Sequence, residues 1–118
     1  MSVNMLNENG NITIDDQVFA TLAGLAAMEC YGVVGMASKN ATEGIFELLK
    51  REQLTKGIKV TAAEDKLNID LYIVLQYGVR ISTVAENIIS RIKYSVENYS
   101  GVLVNNVNIF VQGVRVQK

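Results

Sequence analysis

Ile58-Lys-Val-Thr-Ala-Ala-Glu-Asp-Lys-Leu-Asn-Ile-Asp-Leu-Tyr-Ile-Val-Leu-Gln76 decides the fold class. Ile58, Val60 and Ala62 alternate with Lys59, Thr61 and Ala63. After a turn at Glu64-Asp-Lys66, Leu67, Ile69, Leu71, Ile73 and Leu75 alternate with Asn68, Asp70, Tyr72, Val74 and Gln76. A period of two belongs to strands, whose successive side chains leave opposite faces. The pattern predicts a β-hairpin with one apolar face. Over Tyr72-Ile-Val-Leu75 both faces become apolar, so the second strand is expected at the centre of its sheet.

On the C-terminal side the period changes. Val84, Ala85, Ile88, Ile89, Ile92, Val96 and Tyr99 form one helical stripe, with Arg91, Lys93 and Glu97 off it. Thr83 and Glu86 have the spacing of a capping box, and Gly101 is a stop. Val102 to Val116 reads as a strand, with Val107, Ile109 and Val111 alternating against Asn106, Asn108, Phe110 and Gln112. Gly113 predicts a bulge or a close backbone approach.

On the N-terminal side, Asn11-Ile-Thr-Ile14 is a short strand. Asp15 or Asp16 can cap a helix carrying Val18, Phe19, Leu22, Leu25 and Ala26, which runs to about Cys30 and stops at Gly32. Its Ala23, Gly24, Ala26 and Ala27 are small and permit close packing. Val33 to Ala37 is extended, Asn40-Ala-Thr-Glu43 a turn, and Ile45, Leu48 and Leu49 fit a short helix with Glu47 and Arg51 as an i,i+4 pair. The expected class is α/β (α+β): a small two-layer domain in which a mixed, mostly antiparallel sheet carries two principal helices. Residues 1–10 read as a flexible tail and residues 11–118 as one domain.

The bulk numbers agree with a globular chain. Of 118 residues, 49% are hydrophobic and 19% charged, and 11 basic against 12 acidic residues leave a net charge of −1. That is one domain's worth of chain, without the basic field that drives non-specific nucleic-acid binding. No apolar run reaches the roughly 20 residues that span a bilayer, and the polar start lacks the pattern of a secretory signal. The lone Cys30 fits a reducing, cytoplasmic setting.

Catalytic constellations are scarce. The chain has no histidine, so Cys30 has no Cys–His partner, and one cysteine without histidine makes no zinc site of the usual kind. Gly32-Val-Val-Gly35 with Lys39 suggests a phosphate or RNA loop. However, a Walker loop needs Gly-Lys followed by Ser or Thr, and here Ser38 precedes Lys39. An RNA-clamping loop would carry basic residues where Val33 and Val34 stand. Ser38 and Lys39 are adjacent rather than three apart, which argues against a Ser–Lys hydrolase. Asp15-Asp16 and Glu64-Asp65 have structural roles as a cap and a turn. Glu29 has an open role, either solvated or paired with a cation such as Arg80, and the enzymatic arrangements left are an unforeseen metal or a carboxylate site built from Glu29 and Asp70. Tyr72, Tyr77, Tyr94 and Tyr99 suit core edges or interfaces better than a nucleic-acid platform.

Three blocks, Cys30-Tyr-Gly-Val-Val-Gly-Met-Ala-Ser-Lys-Asn40, Gln76-Tyr-Gly-Val79 and Val107-Asn-Ile-Phe-Val-Gln-Gly-Val-Arg-Val116, occur in this order after Asn11-Ile-Thr-Ile-Asp15. Together they resemble the alkaline-shock, envelope-stress-response family of Gram-positive bacteria, in its compact YloU-like branch. The resemblance implies a non-enzymatic cytoplasmic protein of cell-envelope homeostasis with no cofactor. It also implies partners in the form of further copies of itself and a small membrane-anchored protein. Nucleic acid is not expected as a partner, nor direct membrane insertion. The expected role is that of an interaction or scaffold protein. The candidate contact residues are Tyr31, Val33, Val34 and Met36, with Phe110 and Val114 on the last strand as a second patch. The alternative reading is a small-ligand or RNA-binding regulatory module that uses the Gly32–Lys39 turn.

Overall fold

A computed structural model describes residues 2–37 and 56–116. The expected turn at Asn40, the short helix at Ile45–Leu49, the Glu47–Arg51 pair, Ser38 and Lys39 lie outside them. The chain order is β1 (Ser2–Asn7), β2 (Gly10–Asp15), α1 (Asp16–Met28), β3 (Val33–Met36), β4 (Ile58–Ala63), β5 (Lys66–Gln76), α2 (Ile81–Ser100) and β6 (Leu103–Arg115).

β5 is the axis of the main sheet. Along one edge β4 pairs antiparallel with its first half, Ile58 opposite Leu71 and Ala63 opposite Lys66. β3 pairs antiparallel further along the same edge, Met36 opposite Ile73. Along the other edge β6 runs parallel to β5, from Leu103 beside Lys66 to Arg115 beside Gln76. Parallel neighbours need a long crossover, which α2 supplies. Gly113 falls at a register shift in β6, and a second shift lies near Asn105.

Both helices cover one face of this sheet. Leu67, Ile69, Leu71, Ile73 and Leu75 are completely buried and form a core with Phe19, Ala23 and Ala27 of α1 and Ile88, Ile92 and Val96 of α2. The small α1 residues let that helix approach closely, as their size predicts, and Ala23, Gly24, Ala26 and Ala27 are all buried. The opposite face carries Asn68, Asp70 and Tyr72 in half-buried positions. Asn108 Nδ2 donates to Asp70 Oδ1 at 2.9 Å, and Phe110 stacks on Tyr72 with ring centroids 4.8 Å apart.

Three local readings are corrected. The first residues, expected as a tail, supply β1, which pairs antiparallel with β2; Val3 and Met5 pack against the core. The Thr83–Glu86 capping box does not form. α2 starts at Ile81 with Arg80 as an N-cap that makes no side-chain bond, so Thr83 already lies inside the first turn. Glu97, read as merely off the stripe, holds the α2–β6 connection: its carboxylate accepts from Val104 N at 2.8 Å. Gly101, left-handed at φ 79°, and Ser100, whose Oγ accepts from Val102 N, complete that turn. At the N-terminal end of α1, Asp15 accepts from Gln17 N, and this bond with one to Asp16 holds its carboxyl below the ordinary carboxylate range.

The hairpin turn is only two residues long, and Glu64 and Asp65 both have positive φ, 52° and 66°. That geometry favours Asn-Gly, so Glu64→Asn with Asp65→Gly raises stability by about 1 kcal/mol in urea denaturation. Glu97→Ala removes a charge-assisted bond and lowers stability by about 1–2 kcal/mol. Glu86→Ala, which removes no cap, stays within about 0.5 kcal/mol of the parent.

Candidate functional site

Parts of the three sequence blocks, Tyr31-Gly32, Gln76-Tyr77 and Arg115, meet at one end of the main sheet. α1 closes through Glu29, whose N–H donates to Ala26 O, and the chain turns through Tyr31-Gly32 into β3. Gln76 N donates to Gly32 O at 2.8 Å, which fastens the Tyr31 turn to the end of β5. Tyr77 N donates to Arg115 O at 2.9 Å, which fastens the same point to the end of β6. Gly32 takes φ +89°, and a Cβ there would lie 3.1 Å from Val79 Cγ1 and 3.3 Å from Val84 Cγ2. Only glycine gives both the left-handed backbone and the close approach.

An open cleft of about 530 Å³ lies at this junction, lined among others by Tyr31, Gln76, Tyr77, Arg80, Thr83 and Asn87. Two aromatic rings flank it, Tyr31 with 82% and Tyr77 with 68% of its surface exposed. Rings this exposed contribute little to the core, yet short backbone bonds fix their main chain.

The candidate contact residues are distributed unevenly. Tyr31 borders the cleft. Val33 is half-buried against the core, and Val34 occupies the irregularity where β3 shifts register on β5. Met36 is completely buried in the core opposite Ile73, because its β3 position faces the helices. Phe110 and Val114 are 41% and 44% exposed on β6. Phe110 stands opposite Tyr72 and Val114 opposite Leu75, so the two belong to opposite faces of the sheet. Sequence reasoning missed Tyr77, Arg80, Thr83 and Asn87 as neighbours of Tyr31. The Gln76-Tyr-Gly-Val79 block was the available signal.

The remaining chemical candidates separate. Gly32-Val-Val-Gly35 is largely strand: β3 pairs with β5, so this backbone is engaged in the sheet rather than cradling a ligand. Glu29 pairs with Arg91 at 3.8 Å, not with Arg80, and both side chains are more than half exposed. Asp70 lies on the sheet face away from the helices, so Glu29 and Asp70 do not converge. Cys30 Sγ contacts Ala26 O at 3.5 Å; burial pushes its thiol up, and Arg91 partly opposes the shift. Among the described residues no cluster of three or more His, Cys, Asp or Glu side chains could hold a metal, and no helix is long and apolar enough to cross a membrane.

These features define a two-layer α+β domain whose three distinctive segments build one surface end. The chain belongs to the alkaline shock protein 23 family, which has a cell envelope-related function, with residues 4–116 matched. It is 44% identical to the uncharacterized protein YloU of Bacillus subtilis over 98% of both chains. It is 40% identical to the uncharacterized protein Spy1614 of Streptococcus pyogenes, over 98% of this chain and 97% of that one. A stress response regulator gls24 homolog of Streptococcus pyogenes is 25% identical over 92% of this chain, which spans 61% of that protein's length. None of these names is that of an enzyme.

Gly32→Ala meets both a forbidden φ and two valine methyl groups, and it lowers stability by about 1–3 kcal/mol in urea denaturation. Measured against Val79→Ala alone, the same substitution costs less, because the nearer contact has gone while the backbone strain remains.

Proposed function

We propose that the protein is a non-enzymatic interaction module of cell-envelope homeostasis. It docks a protein partner over the Tyr31–Tyr77 cleft and is cytoplasmic, drawn to the membrane by a small membrane-anchored partner. The observation that carries this reading is the meeting of one part of each family block, Tyr31-Gly32, Gln76-Tyr77 and Arg115, at one exposed end. Two tyrosines there offer apolar rings and hydroxyls without contributing to the core. Tyrosine is enriched at protein interfaces because it buries a large rigid area at little cost in conformational freedom. The cleft is open and its lining includes Gln76, Arg80, Thr83 and Asn87 beside the buried Val84. It suits a segment that presents an apolar side chain flanked by hydrogen-bonding groups. The family's envelope-related function and the stress-regulator relative support the same cellular setting.

The alternative, a small-ligand or RNA module at Gly32–Lys39, has less support, since Val33–Met36 is committed to pairing with β5.

Affinity capture from native cells, comparing the parent with Tyr31→Ser/Tyr77→Ser, tests the reading. Both rings are solvent-exposed, so the variant keeps its circular dichroism spectrum. The parent is expected to recover a membrane-anchored protein that the variant loses at least about tenfold. Equal recovery by parent and variant contradicts the cleft as the docking surface, and recovery of RNA in place of protein favours the alternative.

A further inference from the structure

We propose that β6 is a self-pairing edge: two copies of this chain join antiparallel, β6 to β6, about a two-fold axis at Ile109. The two four-stranded sheets then become one. This goes beyond the cleft reading and does not depend on it, because Ile109 is six residues, or about 20 Å of strand, from Arg115 at the cleft end.

Among the described residues β6 pairs only with β5, so one long edge carries unpaired backbone groups. It has 13 residues, against six for β4 on the other side of β5. Natural sheets protect such edges with charge, proline or bulges. The chain has no proline, and no charged residue occurs from Leu103 to Val114. Bulges exist, but they fall near Asn105 and Gln112 and bracket a regular run, Asn106–Val111. The protection is missing from the middle of the strand.

The occupant follows from the pattern. Residues paired across an antiparallel contact share a face. When a strand pairs with its own copy, even positions must therefore meet even and odd meet odd. An axis at Ile109 sets Ile109 against its copy, Val107 against Val111 and Asn108 against Phe110. The odd positions, Val107, Ile109 and Val111, form a row beside the core that stays only half-buried in the single chain. The neighbouring copy would extend this row into a continuous apolar layer and cover it. An axis at Asn108 would instead leave the apolar Val111 facing the bulge at Asn105, whereas the axis at Ile109 leaves only the polar Asn106 facing the bulge at Gln112. On the other face, Phe110, 41% exposed and stacked on Tyr72, gains the opposing Asn108 as cover. A net charge of −1 per chain opposes the approach of two copies only weakly.

Light scattering and sedimentation on the full chain test the proposal. Through the micromolar range the parent is expected at no less than twice the 13.0 kDa of one chain. Asn108→Lys with Phe110→Lys sets lysine against lysine twice across the axis and weakens association at least about tenfold. Asn108→Lys with Phe110→Glu loses the same aromatic stack but pairs opposite charges, and association returns. Ile109→Cys in a Cys30→Ser background forms a disulfide-linked dimer on oxidation, a readout that needs no charged substitution. A monomeric parent, undiminished mass in the lysine pair, equal loss in both charged variants, or no cross-link at Ile109 would each overturn the proposal.

Discussion

The structure depends on one strand being covered from three directions. β5 presents Leu67, Ile69, Leu71, Ile73 and Leu75 to both helices while its two edges are paired along nearly its whole length. A strand buried in this way must have all its backbone groups satisfied by neighbours, because water cannot reach them. That requirement brings β3 and β4 end to end along one side and β6 along the other. α2 has to travel the length of the sheet so that β6 can start beside Lys66 and run in the same direction. The cleft is a by-product of the same arrangement. β5 and β6 finish together, and the chain must turn sharply at Tyr77-Gly78 just where the Tyr31 turn is bonded to Gln76.

The sequence was most readable where a period continued long enough to leave one interpretation. Ten alternating residues of β5 and seven positions of the α2 stripe specify their elements, and of those seven Val84, Ile88, Ile92 and Val96 are buried while Tyr99, at the helix end, is exposed. Gly101 was readable for a different reason, since a helix end in the left-handed region favours that residue. Short or locally ambiguous signals failed. Val3 and Met5 alternate, but among polar neighbours they resemble a tail until β2 is seen to pair with them. Thr83 and Glu86 satisfy a spacing rule that takes no account of where the helix begins. Met36 is an apolar residue in a four-residue strand, and only its pairing with Ile73 turns it to the core.

The candidate site was half readable. The three blocks could be recognised one by one, yet no local rule states that Gln76 donates to Gly32 or that Tyr77 donates to Arg115. Both contacts are long-range and arise from the sheet order. Glycine again gave the strongest hint. At Gly32 the backbone and two valines leave no room for a side chain, so this turn is a packing joint, and its conspicuous neighbour Tyr31 is the part left facing outward.

The position of β5 in the chain also matters during synthesis. α1 is complete at Met28, but its partners on β5 and α2 come later, and at about 5–20 residues per second the ribosome needs several seconds to reach Gln76. Throughout that interval Phe19 and Leu22 have no sheet to cover them. Val18, Leu25 and Met28 remain partly exposed even in the finished fold. The nascent N-terminal third is therefore an apolar segment without a core, dependent on the emerging chain behind it. Pausing before β5 would expose it to aggregation or to chaperones, and the core is closed only once β6 has paired with β5.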